Sequence, residues 1–136
     1  MTILQVSNVS GGYTRKPVIK DLSFTIEKGE LVGLIGLNGA GKSTTIKHII
    51  GTLIQREGEI RLNGVTLKEN MDAYRSSFSY IPETPVLYDE LTLKEHLALT
   101  AMAYGIDEKT LAERSEKLLK EFRMEKRLNW FPSHFS

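Results

Sequence analysis

The chain has 136 residues, 40% of them hydrophobic and 26% charged, which is the balance of a folded globular domain. Eighteen basic residues face seventeen acidic ones, so nothing in the charge points to nucleic acid or an anionic membrane as a direct partner. Cysteine is absent, which excludes a disulfide framework and a thiolate metal site.

Met1 to Val6 lacks the basic start and long apolar centre of a signal peptide. Leu4 and Val6 alternate with Gln5 and Ser7 and predict a half-buried strand, broken at Gly11-Gly12. Leu22, Phe24 and Ile26 alternate with Ser23, Thr25 and Glu27 and predict a strand of antiparallel type. Lys28-Gly29 turns the chain into Leu31 to Ile35, an apolar run that reads as a strand buried on both faces. Gly36-Leu37-Asn38-Gly39-Ala40-Gly41-Lys42-Ser43-Thr44 then fits G-x-x-x-x-G-K-[ST], the phosphate-binding P-loop. A helix should run from Lys42 to Ile50, with Ile46, Ile49 and Ile50 at helical spacing and Gly51 as its stop.

The chemistry of that stretch follows from its residue types. Glycines let several backbone N–H groups face inward, and the helix end adds partial positive charge. Lys42 brings a mobile charge for the outer phosphates, and the Ser43 hydroxyl suits Mg²⁺. Gly36, Asn38, Gly39, Ala40, Gly41, Lys42, Ser43 and Thr44 are therefore the expected phosphate site.

Farther on, Ile60 and Leu62 alternate with Glu59 and Arg61, and Asn63-Gly64 marks a tight turn. Ala73 to Ser76 reads as a helical turn, and Phe78 to Ile81 as a short strand stopped by Pro82. Thr92-Leu93-Lys94-Glu95 is a capping box, opening a helix with Leu93, Leu97, Ala101 and Tyr104 on one face and Gly105 at its end. Asp107 caps a further helix whose stripe is Leu111, Leu118 and Phe122, with Leu119 beside it. Val86 to Glu90 is too short, and too close to Pro85 and Thr92, to be a strand carrying a metal-binding acid. His48, His96 and His134 read as surface or packing residues. Trp130 and Phe131 need something to pack against.

P-loops serve several enzyme classes, so the surroundings must decide. Tyr13 before the P-loop, Tyr80-Ile81-Pro82-Glu83-Thr84-Pro85-Val86-Leu87-Tyr88 and Leu91 to Leu97 resemble the ATP-binding subunit of an ABC transporter, and Gly11-Gly12-Tyr13-Thr14-Arg15 with Ile81 to Tyr88 resemble, within that family, its Ecs-type bacterial exporters. The resemblance covers the whole chain. It implies an α/β P-loop NTPase of ABC ATPase type, with an antiparallel β subdomain and the start of a helical subdomain. Residues 1–80 would be the β and P-loop core, 81–91 the Q-loop region and 92–136 an incomplete helical subdomain.

It also implies roles. Tyr13 matches the aromatic residue on which adenine stacks, and Lys42 the catalytic phosphate lysine. ATP and Mg²⁺ are the expected cofactors. Glu83 departs from the family pattern, which usually has a Gln that touches Mg²⁺ and the attacking water. A carboxylate there can still ligate Mg²⁺, but it adds negative charge and lacks an amide donor. Phe135-Ser136 align with the first two residues of the family's signature motif.

The expected partners are a transmembrane permease, met through the Glu83 loop and helical subdomain, and a second ATP-binding subunit. The expected location is cytoplasmic, on the inner face of the membrane. The rest of the signature, the second acidic motif with its catalytic Glu and the switch His do not occur in these residues, so the chain reads as an N-terminal portion of a longer subunit. That portion is expected to bind ATP weakly, to self-associate through an unpaired edge at Leu31 to Ile35, and not to turn ATP over. A soluble ABC-type ATPase of translation or DNA repair, and a nucleotide-binding module that never hydrolyses, remain the alternatives.

Overall fold

The computed structural model describes residues 1–135. They fall into two compact units, Met1–Ile81 and the residues from Pro82 onward.

The first unit is built on a three-stranded antiparallel sheet, β1 (Thr2–Gly11), β2 (Ile19–Glu27) and β3 (Glu57–Leu62), in the order β2-β1-β3. The first strand is central, and its Leu4 and Val6, with Val9 beyond a bulge at Asn8, are buried with Ile60 and Leu62 of β3. On β2, at the edge, Leu22, Phe24 and Ile26 are only half-buried. The Asn63-Gly64 turn is as expected: both residues have positive φ, and Leu62 and Val65 exchange backbone bonds of 2.9 and 3.1 Å. Helix α1 (Lys42–Ile49) follows the P-loop, and α2 (Met71–Arg75) is the short helical turn. Tyr74 of α2 is buried, donates its hydroxyl to the Ile49 carbonyl at 2.6 Å, and meets Phe78 edge-on at 6.2 Å. It thereby ties the end of α1 to the chain beyond the sheet.

Two expected strands are absent. Leu31 to Ile35 has no strand pairing, and Leu31 and Ile35 are 99% and 94% exposed. A strand buried on both faces needs ladder partners at its edges and elements over its faces, and the described residues supply neither. Phe78 to Ile81 is irregular for the same reason. The buried face of α1 also differs from the isoleucine stripe: Thr44, Thr45 and His48 are buried, whereas Ile46 and Ile49 are intermediate.

The second unit holds α3 (Leu93–Ala103) and α4 (Glu108–Glu121), then two single 3-10 turns. The capping box forms: the Thr92 hydroxyl accepts from the Glu95 N–H at 3.3 Å, and the Glu95 carboxylate accepts from the Thr92 N–H at 2.7 Å. The Leu93 and Lys94 N–H groups go to the carbonyls of Trp130 and Leu128, each at 2.9 Å, so the first turn of α3 is fully satisfied. Ala101 is buried, but Tyr104 at 63% and Phe122 at 68% are exposed, contrary to the expected stripes. No element among the described residues of this unit covers those positions, so helical spacing alone could not bury them. Trp130 instead packs on Phe135, ring centroids 5.5 Å apart.

The Thr92 N–H, and then its hydroxyl, hold the Glu95 carboxyl below its ordinary value. A carboxylate depressed on folding stabilises the fold above its unfolded pKa, and that contribution fades as pH falls through the lower folded value. Acid unfolding followed by helical circular dichroism should therefore show Glu95→Gln converging on the parent below about pH 4 and lying beneath it at neutral pH. Parallel curves across that range would remove the cap carboxylate from the account.

Candidate functional site

The P-loop is shaped by two backbone requirements. Gly39 and Gly41 have φ of 82° and 98°, a region that side chains strain, and a Cβ on Gly41 would stand 2.8 Å from the Ile19 Cγ2. Gly41 is the N-cap of α1 and offers no side chain to its first turn, which also contains no acidic residue. The N–H groups there lack intrahelical partners and carry the helix's partial positive charge. Lys42 folds back along the loop and donates its Nζ to the Gly36 carbonyl at 2.6 Å and the Leu37 carbonyl at 2.9 Å. Those bonds hold the ammonium over the loop and leave a third donor for an anion. Ser43 is exposed, Thr44 is buried, and Asn38, Gly39 and Ala40 are exposed on the loop.

The fit to a polyphosphate is thus local and chemical: an uncapped helix start, one tethered ammonium, an exposed hydroxyl and no opposing carboxylate in the first turn. A cavity of about 350 Å³ lies elsewhere in this unit, lined by His48, Ile60, Leu67, Met71 and Tyr74 among others. Its largely apolar walls do not suit a phosphate.

Tyr13 stands at the head of the loop between β1 and β2 and is 58% exposed. The Lys47 ammonium of α1 lies 5.2 Å from the centre of its ring. Lys47 beside the hydroxyl lowers the Tyr13 phenol from its ordinary value, and Thr44 adds a smaller effect in the same direction. The structure therefore brings Tyr13 together with the P-loop helix. Glu83 lies in the second unit, on an exposed irregular stretch. Phe135 is half-buried, and Ser136, the other half of the signature pair, lies outside the described residues.

The histidines are packing and bonding residues. His96 accepts the Tyr88 N–H at 3.1 Å and His134 the Phe131 N–H at 3.3 Å. His48 is only 2% exposed and bonds the Leu53 carbonyl through Nδ1 at 2.7 Å. Among the described residues there is no group of three or more His, Cys, Asp or Glu that could hold a metal, and no helix long and apolar enough to cross a membrane.

The family model described as ABC transporter matches residues 19–136. The chain belongs to the ABC transporter family. It is 64% identical over all its 136 residues to the ABC-type transporter ATP-binding protein EcsA of Bacillus subtilis, covering 55% of that protein. It is 36% identical over 130 residues to the SkfA peptide export ATP-binding protein SkfE of the same bacterium, with 95% of this chain and 53% of SkfE covered. A solved structure of the ATP binding subunit of an ABC transporter superposes with a TM-score of 0.91 at 57% identity, over 98% of this chain and 56% of the other. The chain spans about half the length of the curated relatives it matches. The fold is accordingly that of an ABC ATPase cassette, and the antiparallel sheet and P-loop helix of this ABC transporter chain are part of it.

Sequence reading singled out the P-loop residues and Tyr13 and passed over Lys47 and Arg56, which contact Tyr13 and its loop. The signal for Lys47 was its place five residues after Lys42, near enough on α1 to reach an aromatic residue before the loop. Nothing in the sequence marked Arg56, whose partners lie about forty residues away on a bend.

Proposed function

We propose that this chain is the nucleotide-holding portion of an ATPase subunit that drives an ABC exporter. The observation that carries the reading is the tethered Lys42 over an uncapped helix start, with Tyr13 beside the same helix. In this reading Tyr13 stacks the adenine, Gly36 and Asn38 to Thr44 hold the phosphates, and Lys42 acts on the β- and γ-phosphates. Ser43 and Glu83 are the proposed Mg²⁺ ligands, Glu83 on its sequence position alone. Mg²⁺, when bound, supplies positive charge against the outer phosphates. Hydrolysis, a permease subunit met through the Glu83 loop and the helical subdomain, a second ATP-binding subunit and a place on the cytoplasmic face of the membrane belong to the same proposal. The likeness to the Ecs-type branch, and to a protein named for peptide export, supports export over import.

ATP hydrolysis by the full-length protein, assayed with and without Mg²⁺, tests the reading. Turnover that requires Mg²⁺ is expected, and nucleotide binding without any turnover would favour a non-hydrolysing module. Glu83→Gln should leave ATP affinity nearly unchanged by isothermal titration while altering turnover or its coupling to transport. A large loss of affinity with unchanged coupling would remove Glu83 from the role given it.

Residues 1–136 alone should bind ATP weakly and release no phosphate over many turnovers. The exposed Leu31 to Ile35 supports this, because the strand it is proposed to pair with carries the second acidic motif and the carboxylate that positions water. Without that base, about 10²–10⁴-fold of assistance is lost. Phosphate release at the rate of the intact protein, abolished by Lys42→Ala, would show this portion to be a complete enzyme.

A further inference from the structure

The loop from Gly12 to Pro17 that carries Tyr13 has bends but no ladder of its own. Its neck is closed by the Val18 N–H on the Gly11 carbonyl at 2.8 Å, and within it the Thr14 hydroxyl reaches the Lys16 carbonyl at a long 3.4 Å. A flat platform for a base needs firmer support, because a mobile aromatic ring forfeits binding free energy to ordering. The support comes from Arg56. Its guanidinium forks onto the carbonyls of Arg15 and Thr14, one N–H group to each. The fork is planar and rigid, so it sets two N–H groups on separate atoms at a fixed spacing, whereas an ammonium offers all its donors from one atom.

Arg56 is itself anchored. Its backbone N–H bonds the Ser10 carbonyl at 2.9 Å, the last residues of β1 before the loop. The turn leading to it is fastened by His48, whose Nδ1 meets the Leu53 carbonyl at 2.7 Å. The His48 ring also lies against Gly11, where a Cβ would come within 2.5 Å of Nε2. The chain from His48 to Arg56 therefore joins the phosphate-binding helix to the Tyr13 loop through side chains that lie outside the P-loop motif.

We propose that Arg56 is a positioning residue for base recognition: it holds the Tyr13 loop so that the ring sits at the spacing a nucleoside triphosphate needs from the P-loop. This rests on the reading of Tyr13 as the adenine platform. Arg56 is exposed, so its replacement leaves the core intact.

The test compares ATP with inorganic tripolyphosphate, which offers phosphates but no base, in titrations on the full-length protein. Tyr13→Ala should weaken ATP by about five- to a hundredfold and leave tripolyphosphate unchanged. Arg56→Gln should weaken ATP by about three- to tenfold, again with tripolyphosphate unchanged, and Arg56→Lys should match it. In a Tyr13→Ala background Arg56→Gln should add nothing. Full ATP affinity in Arg56→Lys would mean that charge rather than the fork matters, and would overturn the proposal. Equal losses for ATP and tripolyphosphate would overturn it as well, since the P-loop itself would then have moved. Normal ATP affinity in Arg56→Gln alongside a Tyr13→Ala loss would sink this inference alone. Normal ATP affinity in Tyr13→Ala would sink the stacking reading and this inference with it.

Discussion

Lys42→Ala in the full-length protein should reduce ATP hydrolysis to background and weaken ATP binding. The side chain makes two contributions that alanine cannot replace. Its ammonium is fixed over the loop by the Gly36 and Leu37 carbonyls, so no conformational search precedes its contact with an anion. It also offsets the negative field of those carbonyls, which would otherwise face the phosphates directly. Loss of one preorganised donor to a developing charge costs about 10²–10³ in turnover. Lys42→Arg should fare little better, because a planar fork cannot be held by two loop carbonyls and still present a point charge to the phosphates. Phosphate release and equilibrium binding on both variants decide the matter, and parental turnover and affinity in Lys42→Ala would end the assignment.

Gly58→Ala should be the most destabilising single methyl group that can be added to the first unit. Gly58 is the second residue of β3, with φ of 80°, and a Cβ there would stand 2.4 Å from the carbonyl oxygens of Ser7 and Asn8. Both neighbours are backbone of the central strand, which is already bulged at that point, with Asn8 at φ of 50° and a register shift between Ser7 and Ser10. Neither can rotate away. Left-handed strain costs about 1–3 kcal/mol and overpacking about as much again. Gly64→Ala supplies the comparison, because Gly64 has φ of 81° but open space around it. Its cost should be about 1 kcal/mol. Urea unfolding of the two variants measures the difference, and equal midpoints would show that the β1–β3 pairing can shift to admit the methyl group.

What the sequence announced was chemistry acting over a few residues. The Asn63-Gly64 turn, the Thr92–Glu95 box, the Asp107 cap and the glycine spacing of the P-loop all depend on neighbours within one turn of chain. What it hid depends on distant partners. Leu31 to Ile35 has the composition of a buried strand, yet composition cannot state whether a ladder stands on either side. Tyr104 and Phe122 keep helical spacing and still face solvent. Thr44, Thr45 and His48 are the converse case. They are polar, so an apolar stripe passed them over; a bond to the Gly41 carbonyl lets the Thr45 hydroxyl be buried, while His48 is bonded only at Nδ1, to Leu53, with Nε2 unpartnered among the described residues.

The starts of α1 and α3 in the ABC transporter chain differ in one respect that reaches beyond binding. At α3, side chains and the carbonyls of Leu128 and Trp130 complete the first turn from within the protein. At α1, Gly41 contributes no such group. An anion that takes up those amides is therefore also the missing end-piece of the helix, and through Tyr74 on the Ile49 carbonyl the far end of that helix is fastened to α2. On the proposed function, nucleotide concentration then becomes a determinant of how much of the chain is folded. At a hundred times its dissociation constant, a ligand that binds only the native state adds about 2.7 kcal/mol to it. On the proposed function, a cell depleted of ATP would therefore hold less of this chain in its folded form.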